Sequence, residues 1–237
     1  MSARSFVLKM FAFVVLLTVS GLHQVDAQFL HPKIQSKETT IRRVVVLPAK
    51  VNVVRDSMKG PEGMAAESDE LSTRVAAMVA EVLSKNHSIT TVSPTEPGAD
   101  VDSQKYNVAD FQTKFDELLP RIMKKRSDVK KGRFTMGDEV LNLNLEKGTD
   151  AIVFIRGAGK KLSGGKTAFN LLVGGVPAYL QLQIGIVDAR NGEVLLYTDP
   201  DFKGDPTTAI DRLRKALSKG FKKLPEVKDQ QASPPKH

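Results

Sequence analysis

Arg42-Arg43-Val44-Val45-Val46-Leu47-Pro48 decides how this chain is read. Four consecutive apolar residues, three of them β-branched, suit a strand buried on both faces, and Pro48 ends it by removing a backbone donor. Working downstream, residues 49–67 contain Gly, Pro and Ala without a period and read as a loop. Ser68 reads as an N-cap with Asp69 and Glu70 in the first turn. Leu71, Val75, Met78, Val79 and Val82 then recur at helical spacing, so the pattern predicts an amphipathic helix over 69–85 closing at Lys85 and Asn86. Ile89–Val92 reads as a short strand ending before Pro94.

Further on, residues 93–106 are polar and turn-rich. Val108, Phe111, Phe115, Leu118, Leu119 and Ile122 mark a second helix, with Pro120 inside it as a kink site. A basic stretch follows, with Lys124, Lys125, Arg126, Lys130, Lys131 and Arg133. Residues 137–147 fit either a helix stopped by Gly148 or an alternating strand, and helix is preferred. Ala151–Arg156 is a second apolar strand. Tyr179–Asp188 and Glu193–Thr198 flank Asn191-Gly192, a strong hairpin signal. Asp205 and Pro206 read as the cap and first residue of a last helix. Its stripe is Ile210, Leu213, Leu217 and Phe221, ending at Leu224-Pro225. The expected fold is a single α/β domain, a mixed sheet of about five strands flanked by helices. Its expected core joins Val44, Val46, Ile152, Phe154, Ile184 and Ile186 to Val75, Leu213 and Leu217.

The ends read differently. Arg4 and Lys9 precede the apolar stretch Met10–Val19, and Val25-Asp26-Ala27 offers a small-residue cleavage site. That layout is a secretory signal peptide, 1–27, with mature protein starting at Gln28. Residues 28–40 form an extended amino-terminal segment, 41–225 the α/β domain, and 226–237 a disordered tail. After cleavage no stretch is long and apolar enough to span a membrane, so the chain is expected to be periplasmic or secreted.

Composition narrows the function. The 237 residues carry 35 Lys+Arg against 27 Asp+Glu, a formal charge of +8, with no Cys, no Trp and 6% aromatics. Without cysteine there is no disulfide, thiolate metal site, cysteine nucleophile or lipid-modified cysteine. The few aromatics and the exported location argue against nucleic acid, and the basic charge points to anionic lipid or polymer, or to a protein surface.

Most catalytic patterns fail on spacing. Gly157–Thr167 follows a strand and looks like a phosphate loop, but counting back from Gly165-Lys166-Thr167 places Lys160 where glycine is required. Ser163-x-x-Lys166 has the spacing of an acyl-enzyme serine and lysine, yet Ser127-x-x-Lys130 repeats it and the partner motifs are missing. His31, His87 and His237 are scattered, His87 reading as a solvated helix-end residue. Asp188, Asp199 and Asp201 read as turn and strand-end aspartates. No catalytic, cofactor-binding or metal-ligating residue is assigned.

Two surfaces remain. Ala168–Ala178 is too apolar for an idle connection between strands. Phe169, Leu171, Leu172 and Val173 either pack back on the core or dock a partner, with Lys160, Lys161 and Lys166 beside them. On the last helix, Arg212, Lys215, Lys219, Lys222 and Lys223 lie opposite the apolar stripe. They form a solvated face or a contact for anionic lipid or polymer.

Arg43–Pro48 with the helix after it resembles the opening of periplasmic domains related to the TolB amino-terminal domain, an opening shared by the curli-secretion channel subunit and several outer-membrane lipoproteins. Gly148-Thr-Asp-Ala-Ile-Val-Phe154 resembles their strand entry, and Ile186–Leu195 their hairpin. The resemblance covers about residues 41–223 and implies binding or assembly with no catalytic residues to carry over. The chain lacks the lipobox cysteine and the long alternating strands of a secretion barrel, which points to a soluble member that forms no pore. The resulting expectation is an exported, non-enzymatic binding or assembly domain of the bacterial cell envelope, with no cofactor, contacting envelope proteins or itself. The alternative is a hydrolase acting on a cell-wall or surface polymer, which a buried, converging polar cluster in a deep pocket would mark.

Overall fold

The computed structural model describes residues 28–92, 108–142, 145 and 147–227. The proposed signal segment, the polar stretch before the second helix and nearly all of the proposed tail lie outside these residues. The elements run β1 (Gln28–Leu30), α1 (Pro32–Gln35), β2 (Arg43–Val46), β3 (Lys50–Ser57), β4 (Gly60–Gly63), α2 (Ala65–His87), β5 (Thr90–Val92) and α3 (Val108–Lys124). Two 3-10 turns, Arg126–Lys131 and Asp138–Asn142, precede β6 (Ala151–Leu162). After it come α4 (Gly164–Val173), β7 (Tyr179–Asp188), β8 (Val194–Thr198), β9 (Asp201–Lys203) and α5 (Ile210–Gly220).

The apolar run at 44–47 becomes β2, buried on both faces as its composition requires. The fold is α/β with one open mixed sheet, and it has nine strands among the described residues rather than about five. The long antiparallel pair β6–β7 is its spine. Beside the inner half of that pair the order is β1-β8-β7-β6-β2-β5. Beside the outer half, β3 takes over from β2 as the parallel neighbour of β6, β4 flanks β3, and β9 flanks β7.

Three of the extra strands were hidden for separate reasons. In β3, read as loop, Val51 and Val53 are buried while Lys50, Asn52 and Val54 are exposed, a period-two pattern too short to stand out from its Gly- and Pro-containing neighbours. β4 is a glycine-bounded edge with no buried side chain. β1 lies in the segment read as extended and pairs with β8, after which His31 caps α1 by accepting from the Lys33 N–H.

The sheet divides two cores. Val44 pairs with Ala151 and Val45 with Ile152, so neighbours in register share a face and each strand alternates sides. Val44, Val46, Val153, Ile184 and Ile186 therefore pack with Val75, Leu213 and Leu217 under α2 and α5. Ile152 and Phe154, expected in that same core, point to the other face, where Val45, Leu47, Phe115, Ile122 and Tyr197 surround them beneath α3. An unbroken apolar strand does not reveal which residues face which side.

Helix starts also differ. Ser68 lies one turn inside α2, where its hydroxyl donates to the Met64 carbonyl and accepts from the Val53 N–H, tying helix to sheet. Asp205 and Pro206 precede α5 rather than open it. The Asp205 carboxylate accepts from the Thr207 N–H and hydroxyl in a local turn, and the helix begins at Ile210. Of the stretch 137–147, where the sequence pattern favours a helix, the described residues Asp138–Asn142 form a 3-10 turn with Val140 buried.

Candidate functional site

The glycine-rich stretch after Arg156 is strand rather than loop. β6 continues to Leu162 because Gly157 lets two neighbours close on the backbone. A Cβ there would come within 2.7 Å of Leu182 Cδ2 and 3.1 Å of Val51. The β6–β7 pair thus projects as an arm, and Lys160 pairs with Tyr179 at its last rank.

At the end of the arm sits α4. Ser163 caps it, its hydroxyl accepting from the Lys166 N–H at 3.3 Å, while the Thr167 hydroxyl donates to the Ser163 carbonyl at 3.0 Å. Gly174, at φ +70°, ends it in the left-handed conformation that favours glycine. The Asn170 side chain then donates to the Val176 carbonyl at 2.9 Å, and the Asn170 carbonyl accepts from the Gly175 N–H at 3.0 Å. The helix and its return loop are therefore stapled together.

This element buries none of its own residues. Leu171 is 82% exposed and Leu172 86%, with Phe169, Val173 and Val176 also exposed. Of the two readings of this segment, packing into the core is the one the geometry does not support. Sequence reasoning missed two neighbours. Met58, in the β3–β4 turn close to Gly165, is exposed, and so is Tyr179 at the arm's end. Met58 lay in the stretch read as loop, where only its apolarity could have signalled it. Under the helix lies an apolar cavity of about 310 Å³ bounded by Leu162, Thr167, Leu171, Pro177, Ala178 and Asp205.

The three lysines read as neighbours of the tip are engaged within the chain. Lys160 lies 3.6 Å from Asp56 and over the Tyr179 ring, and Lys166 lies 3.9 Å from Asp56 and over the Phe169 ring. Lys161 donates to the Thr207 hydroxyl at 3.1 Å and lies 3.6 Å from Asp205. They brace the base of the tip. The second basic surface is separate. Arg212, Lys215, Lys219, Lys222 and Lys223 are exposed on or just after α5, opposite the buried Leu213, Leu217 and Phe221. Its carboxyl end is tied to β1 by Gln28, which donates to the Lys219 carbonyl and accepts from the Lys223 N–H.

The remaining polar candidates are structural. Asp188 is held by Arg190 Nε and Nη2 at 2.9 and 2.7 Å, and Asp199 by Arg126 at 2.7 Å. Among the described residues, no group of three or more His, Asp or Glu side chains is placed to hold a metal ion. His87, expected to be solvated, is buried at the end of α2, since the segment after α5 returns over it and the Val227 N–H donates to its carbonyl. Burial pushes its imidazole below the ordinary range. Arg156 is buried beside Phe115, donating to Asp116 and to the Ile155 and Gln112 carbonyls.

The geometry defines a mixed α/β domain with a capped, solvent-facing apolar tip at the end of its central strand pair. No protein-family model and no curated protein matches the sequence. Among solved structures, the chain is similar to the PelC dodecamer from Paraburkholderia phytofirmans, at 9% identity and a TM-score of 0.36 over 79% of this chain and 90% of that one. It is also similar to lipoprotein GNA1162 from Neisseria meningitidis, at 14% identity and a TM-score of 0.33 over 74% and 89%. No residue here takes a role from either. No helix of the described residues is long and apolar enough to cross a membrane.

Proposed function

We propose that this chain is an exported, non-enzymatic binding and assembly domain of the bacterial cell envelope, and that it engages its partner through the α4 tip. One observation carries the reading: Leu171 and Leu172 stand in solvent at the end of a rigidly capped helix. Two large aliphatic side chains held in water contribute nothing to folding and promote association, so their placement makes sense where something covers them. The closed capping of α4 means that little ordering is required on binding.

The test is Leu171→Asp combined with Leu172→Asp. Both positions are exposed, so stability should change by no more than about 0.5 kcal/mol for each substitution, read by circular dichroism melting. Sedimentation of the chain with envelope fragments from the source cell, and of the chain alone across concentrations, should show association by wild type and its loss in the variant. A variant that melts normally and associates as before would place the interface elsewhere, with the basic face of α5 the next candidate.

A further inference from the structure

Resting on that reading of the tip, we infer that what covers it is the surface of an anionic lipid bilayer, into which the end of α4 dips. The first argument is directional. Successive helical residues are turned by about 100°, so Phe169, Leu171, Leu172 and Val173 spread over an arc of roughly 200°, all four exposed, while Lys166, Thr167 and Asn170 share the remaining side. A helix that docks in a protein groove needs only an apolar stripe of about 100°. An apolar arc this wide on a short helix, with its polar side turned away, fits a fluid hydrocarbon boundary, which moulds to whatever part of the helix dips into it.

The second argument is the placing of polar groups. From Thr167 to Ala178 there is no charged residue. The one amide side chain there, Asn170, is turned back on the Val176 carbonyl, and the Gly175 N–H is paired with the Asn170 carbonyl. The one polar side chain of the helix end thus meets its partner within the tip, and the Gly174 and Gly175 N–H groups both close on the Asn170 carbonyl, the kind of internal pairing a low-dielectric setting favours.

The third is the ring at the base. Lys160, Lys161 and Lys166 share only Asp56 and Asp205. Lys59, in the turn beside Met58, and Lys203, paired in register with Tyr179, are exposed and have no carboxylate partner among the described residues. The ring is therefore basic and lies where headgroup phosphates would lie if the apolar end were immersed. Tyr179 stands at the same level, the position that aromatic residues favour at membrane boundaries.

The chain has no tryptophan, so Leu172→Trp in the full chain gives an emission that reports the tip alone. Vesicles of phosphatidylglycerol and phosphatidylethanolamine should move that emission to shorter wavelength, and lipids brominated on their acyl chains should quench it. Phosphatidylcholine vesicles or added salt should weaken the response. Adding Leu171→Asp should abolish the shift even if another part of the chain holds it at the vesicle. An unmoved, unquenched emission overturns the inference. If the emission shifts with envelope fragments or with rising protein concentration but not with pure lipid, the tip docks on protein: the lipid inference falls while the docking reading stands. If it shifts under none of these conditions, both fall.

Discussion

The ring of Phe115 lies stacked on that of Phe154, centroids 4.7 Å apart and planes within 16°. This contact joins α3 to β6 across the core that faces away from α2 and α5, and both side chains are fully buried. Phe154→Ala should lower stability by roughly 3–5 kcal/mol, from lost transfer energy and the cavity left behind. Denaturant unfolding measures it. A loss under about 1 kcal/mol would mean that α3 closes over the gap and the stack matters little.

Gly185 on β7 exists for the same ring. A Cβ built there would stand 2.6 Å from Phe115 Cε2, closer than side chains approach one another. Gly185→Ala should therefore destabilise by roughly 1–3 kcal/mol through overpacking. Shortening the ring with Phe115→Leu in the same chain should make the alanine less harmful than it is alone, because the two positions share one space. Strictly additive losses in thermal melts would contradict that coupling.

Burial holds the His87 imidazole below its ordinary value of 6.5, against the opposing pull of the Leu224 backbone and Glu226. The unfolded chain binds a proton near 6.5 while the folded chain resists it. This contribution to stability is whole above that pH and is lost as pH falls through it towards the lower folded value. His31, also displaced downward by burial, adds to the same slope. Melting temperature should drop on acidification below 6.5, and His87→Leu should make the drop shallower. An acid slope unchanged in that variant would assign it to other groups.

Mature protein should begin at Gln28. Val25-x-Ala27 supplies the cleavage site, and Gln28 is built into the fold through its bonds to Lys219 and Lys223. Amino-terminal sequencing of the protein from its source cell checks this, and an intact Met1 in the membrane pellet would refute it.

The parts of the fold legible from sequence were those whose pattern reports burial directly. The valine run of β2, the stripes of α2 and α5, and the Asn191-Gly192 turn each carry their own signal. What escaped depended on neighbours distant in sequence. The outer half of β6 looks like a loop because Gly157 and Gly159 are demanded by Leu182, Val51 and Leu180, which no local window contains. Ser68 and Asp205 look like caps because hydroxyl and carboxylate groups suit several local partners, and tertiary contacts chose others. The apolar tip was legible as an anomaly of composition. Its exposure was not, since Leu171 and Leu172 would read the same way in a core.

Both β2 and β3 enter the sheet by lying against β6. Val44 meets Ala151 and Lys50 meets Arg156, so each pairing must close a long loop through α2 and α3, an event with a large entropic cost and a slow rate. The β6–β7 pair closes only over α4 and its return loop. Folding should thus start late in the chain, with β6 and β7 amides protected from pulse-labelled hydrogen exchange before those of β2; the reverse order would exclude it. During synthesis β2 and β3, whose earlier-made neighbours are only β5 and β4, then wait for the strand that joins them into one sheet, and that strand begins at Ala151.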